Sequence, residues 1–146
     1  MILVEKWFTV LSENEKGALI TVIGRERIQN FMGTGKFKER VEITWKYEPE
    51  TKGMPSTNTA ALMNAVELAM RKKLERDKLA IMTGIYTGGG EKIWVFYTRT
   101  AKVFGERLNE ALNFFEQTLP ITIYVESDSE WEEYQDLYEL IEYRVD

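Results

Sequence analysis

Polar and apolar positions alternate most cleanly over Val41-Glu42-Ile43-Thr44-Trp45-Lys46-Tyr47. Val41, Ile43, Trp45 and Tyr47 therefore share one face of a strand, and Glu42, Thr44 and Lys46 the other. Residues 79–87 and 92–98 read as two more strands, turned by Gly88-Gly89-Gly90, and residues 121–125 as another. Between them Leu62, Met63, Val66, Met70 and Leu74 recur at helical spacing, after Ser56, Thr57 and Asn58, each of which suits an N-cap. Phe104, Leu108, Ala111, Leu112 and Phe115 mark a second helix, opened by Thr100 and stopped by Pro120. Upstream, residues 2–11 and 18–23 predict a β-hairpin. The stretch 24–40, broken by Gly24, Gly33 and Gly35 and carrying Arg25, Arg27, Lys36, Lys38 and Arg40, reads mostly as basic loop. Downstream, Ser127 and Glu130 suit a capping box ahead of Trp131, Tyr134, Leu137, Tyr138 and Ile141, again at helical spacing.

From residue 41 the order is β-α-β-β-α-β, the ferredoxin-like split β-α-β pattern of the α+β class, with an N-terminal hairpin and a C-terminal helix added. One domain over 1–146 is expected: 1–40 the hairpin and loop extension, 41–125 the repeated unit, 126–146 the acidic helix. In Ile93-Trp94-Val95-Phe96-Tyr97 both strand faces are apolar. An antiparallel sheet with one wet face should alternate, so the second face needs a cover: the hairpin, the C-terminal helix, or another protein chain.

Composition narrows the chemistry. The 146 residues include neither His nor Cys. That removes disulfides, thiolate nucleophiles, imidazole bases and zinc sites built from those ligands. Residues 126–146 hold nine carboxylates against Arg144, a net of −8, while 18 basic and 15 acidic residues leave +3 on the remainder. A solvated acidic helix face is the simplest account of the tail; an acidic surface that meets a basic partner is the functional one. Neither glycine cluster reads as a nucleotide site. A strand follows Gly88-Gly89-Gly90, and Phe37 stands where a Walker sequence would need Ser or Thr after Lys36. Apolar runs fall short of a bilayer span, and Glu5 and Lys6 interrupt the stretch a signal peptide would need, so a cytoplasmic location is expected.

Three segments carry a resemblance. They are Gly53-Met54-Pro55-Ser56 leading to a helix with Glu67; the hairpin from Thr83 to Tyr97 with Gly84, Gly90 and the run Trp94 to Tyr97; and Asp128-Ser129-Glu130-Trp131-Glu132-Glu133-Tyr134. Together they resemble the bacterial domain-of-unknown-function family 695, over about residues 41–138. Domains of that family are sometimes joined to a module similar to the regulator of ribonuclease activity B, which implies a regulatory setting. The family supplies no catalytic residues to carry across.

The expectation is therefore a non-enzymatic cytoplasmic domain that binds a protein partner or a second copy of itself. No catalytic, cofactor or metal residues are assigned. The candidate partner-binding residues are Trp131, Glu132, Glu133, Tyr134 and Asp136 on the C-terminal helix, with Trp94 and Phe96 on the doubly apolar strand. Two other classes stay open. An RNA-binding module of the β-α-β-β-α-β type would stack bases on aromatics of its central strands. A carboxylate-dependent hydrolase would draw on the acidic tail.

Overall fold

The structure is a computed structural model that describes residues 1–146, the side chain of Thr51 apart. Six strands form one antiparallel sheet: β1 (Trp7–Glu13), β2 (Leu19–Arg25), β3 (Glu39–Lys46), β4 (Ala80–Gly88), β5 (Glu91–Thr98) and β6 (Ile121–Ser127), in the spatial order β1-β2-β4-β5-β3-β6. Four α-helices accompany it: α1 (Gln29–Gly33), α2 (Thr57–Leu74), α3 (Ala101–Leu112) and α4 (Glu132–Glu139). Among the described residues no helix is long and apolar enough to cross a membrane. The two-residue turn between β4 and β5 is Gly89-Gly90, both at positive φ as its hairpin geometry requires, with Gly88 paired to Glu91 at the end of β4.

Helices α2 and α3 lie together on one face. Met63, Val66, Met70 and Leu74 of α2 and Phe104 and Leu108 of α3 pack on Val41, Ile43, Trp45, Trp94 and Phe96. The spacing of apolar residues in the sequence marks the buried stripe of α2 and of α3 as far as Ala111, with Leu62 and Leu112 only partly covered; α3 ends at Leu112, well before Pro120, so the partly covered Phe115 lies beyond the helix. Ser56 is the residue that caps α2, its hydroxyl accepting from the Thr59 N–H at 3.1 Å. Thr100 precedes α3 without capping it through its side chain.

The opposite face is covered from within the chain. Val95 and Tyr97 of β5, on the other side of the strand from Trp94 and Phe96, pack with Phe8, Val10, Phe31, Phe37, Trp131, Tyr134 and Leu137. Gly84 makes room for this layer: a Cβ there would lie 2.6 Å from Leu137 Cδ2 and would force that side chain to shift.

Two expectations are corrected here. Residues 24–40 are not mainly loop. They close β2, form α1, open β3, and bury Ile28, Phe31 and Phe37. Arg25, counted among basic loop residues, is completely buried at the end of β2. Its guanidinium bonds Glu75 at 2.8 Å and the Met82 carbonyl at 3.1 Å, pairs with Glu5, and lies 4.8 Å from the centre of the Trp7 ring. It ties the N-terminal segment to the end of α2, a structural role that follows from the cost of leaving a buried charge unpaired. Second, Ser127 and Glu130 form no capping box, because Ser127 still belongs to β6. The side chain that caps α4 is Asp128.

Candidate functional site

Asp128 organises the start of α4. Its Oδ1 accepts from the Glu132 N–H at 2.8 Å and its Oδ2 from the Glu133 N–H at 3.2 Å. Oδ2 also accepts from the Tyr97 hydroxyl at 2.6 Å and from Arg40 Nη1 at 2.7 Å. Burial pushes the Asp128 carboxyl up, but the Tyr97 hydroxyl, the two amides and Arg40 together hold it below the ordinary carboxylate range. The chain then turns through Trp131, whose φ of 56° is the left-handed conformation that a bulky residue rarely adopts. Tertiary contacts hold it there. Trp131 stacks on Tyr97 with ring centres 4.3 Å apart, and its indole N–H donates to the Phe37 carbonyl at 2.7 Å.

This turn delivers Glu133 to a cleft of about 250 Å³ that it lines with Glu42, Tyr86, Ile93 and Val95. An adjoining hollow of about 200 Å³ shares Tyr86 and Ile93 and adds Ile20, Gly88 and Glu91. The floor is aliphatic, one wall is the Tyr86 ring, and three carboxylates stand around it. The Tyr86 hydroxyl donates to Glu133 Oε2. No described residue donates to the other oxygen, Oε1, although it is buried. Burial drives the Glu133 carboxyl up to about 7; Tyr86 and Arg40 pull the other way, and Glu42 and Asp128 add to the rise. Burial, and then the Glu133 charge, likewise push the Tyr86 hydroxyl far above its ordinary value. Glu42 is held by Arg40, whose Nε donates to it at 2.8 Å. An aliphatic trough rimmed by carboxylates, one of them short of a donor, suits the methylene stem and charged head of a basic side chain.

The residues singled out from the sequence separate into two groups. Trp131 and Tyr134 are buried under α4, and Trp94 and Phe96 are buried beneath α2 and α3, so none of the four aromatics offers a surface to a partner. Their apolar character is explained by packing within the chain. Trp94 also donates its indole N–H to Glu67 at 2.7 Å, which accounts structurally for that acid in the middle of α2. Glu132 and Asp136 are exposed and Glu133 is half-buried, so the acids of the helix are what remains available. Tyr86, Glu42, Ile93 and Glu91 belong to the cleft but not to the partner-binding residues expected from the sequence. They come from three strands, β3, β4 and β5, whose alignment depends on register, with Tyr86 opposite Ile93 and Glu42 opposite Val95. The one local signal was the Glu42 side of the alternating strand, which had to face something other than the core.

Tyr97, the aromatic on a central strand that an RNA-binding surface would use, carries Trp131 where a base would stack. Among the described residues no group of three or more acidic side chains is placed to hold a metal ion.

No curated protein and no solved structure matches this chain. A family model does, over residues 5–138, a span that includes Arg25, both core layers and every residue of the cleft. The chain therefore belongs to the family of unknown function DUF695.

Proposed function

We propose that this domain is a non-enzymatic cytoplasmic protein-binding module that takes a Lys or Arg side chain of its partner into the cleft beside Glu133. The observation that carries the reading is Glu133 Oε1, buried in the cleft wall with no donor among the described residues. A buried acceptor without a donor costs free energy, and an arriving ammonium or guanidinium would supply the missing hydrogen bond. The same cation would favour the ionised carboxyl and so release a proton on binding, because Glu133 titrates near 7 in the free domain. Glu132 and Asp136, exposed on the same helix, would attract a basic surface from a distance and lose that effect as salt screens them.

We read β3 to β6 with α2 and α3 as the ferredoxin-like unit that presents this site. The strand order β6-β3-β5-β4 and the two helices on one face support that reading.

The test is an NMR titration with short peptides carrying several Arg or Lys, against acidic and uncharged peptides of equal length. Saturable shifts centred on Tyr86, Ile93 and Glu133, tightening between pH 6 and 8 and lost in Glu133→Gln, are expected. Shifts scattered over the surface, or unchanged by Glu133→Gln, would sink the proposal. A second reading, a carboxylate-dependent hydrolase, draws on a glutamic acid titrating near neutrality beside Glu42. Turnover of a chromogenic glycoside or ester that disappears in Glu133→Gln would replace the first reading with this one.

A further inference from the structure

The two edges of the sheet are treated differently. Along β1 the chain's own C-terminal segment returns, and the Val145 N–H donates to the Thr9 carbonyl at 2.8 Å. Along β6 nothing returns. The last bonds of the β3–β6 ladder, Lys46 N–H to the Pro120 carbonyl at 3.2 Å and Asp128 N–H to the Lys38 carbonyl at 2.8 Å, set its parity. Even-numbered residues of β6 point their backbone groups at β3, and odd-numbered ones point theirs outward. The Ile121 N–H is turned back to the Leu119 carbonyl at 2.9 Å. The N–H and carbonyl groups of Ile123 and Val125 have no partner among the described residues.

Side chains do not protect this edge either. Ile123, Tyr124 and Val125 are 50%, 53% and 45% exposed, figures high for consecutive apolar residues in a strand. Native edges are usually blunted by lysine, proline, a bulge or a cover. From Ile121 to Val125 there is no charge and no proline, and the first charge, Glu126, is already held by Arg40 at 2.5 Å.

We infer that β6 is a self-association edge, at which two copies of this chain pair β6 with β6 antiparallel about a two-fold axis at Ile123. The occupant is a second copy because the strand is chemically symmetric about that residue. The register sets Ile121 against Val125, Thr122 against Tyr124 and Ile123 against itself, so β-branched apolar side chains meet on one face and the two polar-tipped ones on the other. No carboxylate faces its own copy, although each chain carries a net charge of −5. The outward groups of Ile123 bond reciprocally, and the Val125 N–H reaches the Ile121 carbonyl, giving four backbone bonds. An axis perpendicular to the sheet puts both Glu133 clefts on the same side of the continuous sheet. Counted from β5 to its copy they lie five strand spacings apart, about 24 Å. The pairing stands whether or not the clefts bind basic side chains. One strand pair buries less than a standard interface, so the dimer is weak and concentration-dependent.

Sedimentation equilibrium across a hundredfold range of concentration tests this. The native chain should move from 17.1 kDa toward twice that mass. Ile123→Lys should remain monomeric throughout, with an unchanged circular dichroism spectrum because the side chain is half exposed. Ile123→Pro should do the same, since the N–H it removes points away from β3. The register has its own readout in a chain that lacks cysteine. Under mild oxidation Ile123→Cys should cross-link to its own copy, with paired Cα atoms about 5.5 Å apart. Val125→Cys, which opposes Ile121, should cross-link several-fold less. A native chain that stays monomeric at the highest concentration overturns the inference and leaves the edge to a foreign strand or to none. A dimer that persists in both Ile123→Lys and Ile123→Pro, or equal cross-linking at 123 and 125, overturns it as well.

Discussion

The two faces of this sheet are covered in contrasting ways. On one side α2 and α3 bring aliphatic and Met side chains plus Phe104, and the contact is almost entirely hydrocarbon. On the other an eight-residue helix, far too short to persist alone, is held by Asp128, Tyr97, Arg40 and the stacked Trp131. The first layer is tolerant, because burial is non-directional and scales with area. The second depends on hydrogen bonds of fixed geometry among buried polar groups, where losing one partner strands the others. The cleft lies on this second face, at the point where one acceptor is left over.

Substitutions on each side sharpen the contrast. Phe104→Ala, at a buried ring set edge-on to Phe96 at 5.4 Å, should cost about 3–5 kcal/mol and lower the urea midpoint of the whole domain. If the loss were under ~1 kcal/mol, the hydrocarbon layer would not be the main source of stability. Asp128→Ala should cost ~3 kcal/mol and act locally, speeding amide exchange along Glu132–Glu139 before the rest of the domain. In the native chain that contribution is present above the ordinary carboxylate range and vanishes only as pH falls through the depressed Asp128 value. Uniform acceleration of exchange over all six strands would erase the distinction between the faces.

Glu133 predicts the opposite pH trend. Its folded value of about 7 lies above the ordinary 4.5, so its protonated form is favoured by folding, and stability should decline as pH rises from 4.5 through 7. The native chain should lose about 2–3 kcal/mol over that interval, and Glu133→Gln should be flat across it in chemical denaturation. A native profile as flat as that of the variant would mean Glu133 is ionised and paired, removing the basis of the cleft. The smallest effect belongs to the regular face: Ser56→Ala should cost about 1 kcal/mol by removing the α2 cap, with no change in the Glu133 pH profile.

Elements with a strong period are legible in the sequence itself. The alternation from Val41 to Tyr47 separates core from Glu42, Thr44 and Lys46, and the 3.6-residue recurrence from Met63 to Leu74 names the stripe that is buried. The doubly apolar β5 announced a second layer, and the chain supplied that layer itself. Residues 24–40 differ from the loop expected because Phe31 and Phe37 lie in no periodic pattern; both join the second buried layer, Phe31 edge-on to Phe37 and Phe37 edge-on to Trp131. The aromatics Trp131 and Tyr134 looked available for a partner because spacing on a helix locates a stripe without saying what it meets.

The order of polar and apolar residues along the chain determined the strands, the two long helices and the need to cover both sheet faces. These follow from backbone geometry and burial, which act on near neighbours. Tertiary structure alone decided that Arg25 is buried, that Asp128 rather than Ser127 caps α4, and that Glu133 meets Tyr86 and Glu42 in one cleft. Those outcomes turn on strand register and hydrogen-bond partners up to 109 residues apart, as between Arg25 and Tyr134, and distances across a fold are not written in any local pattern.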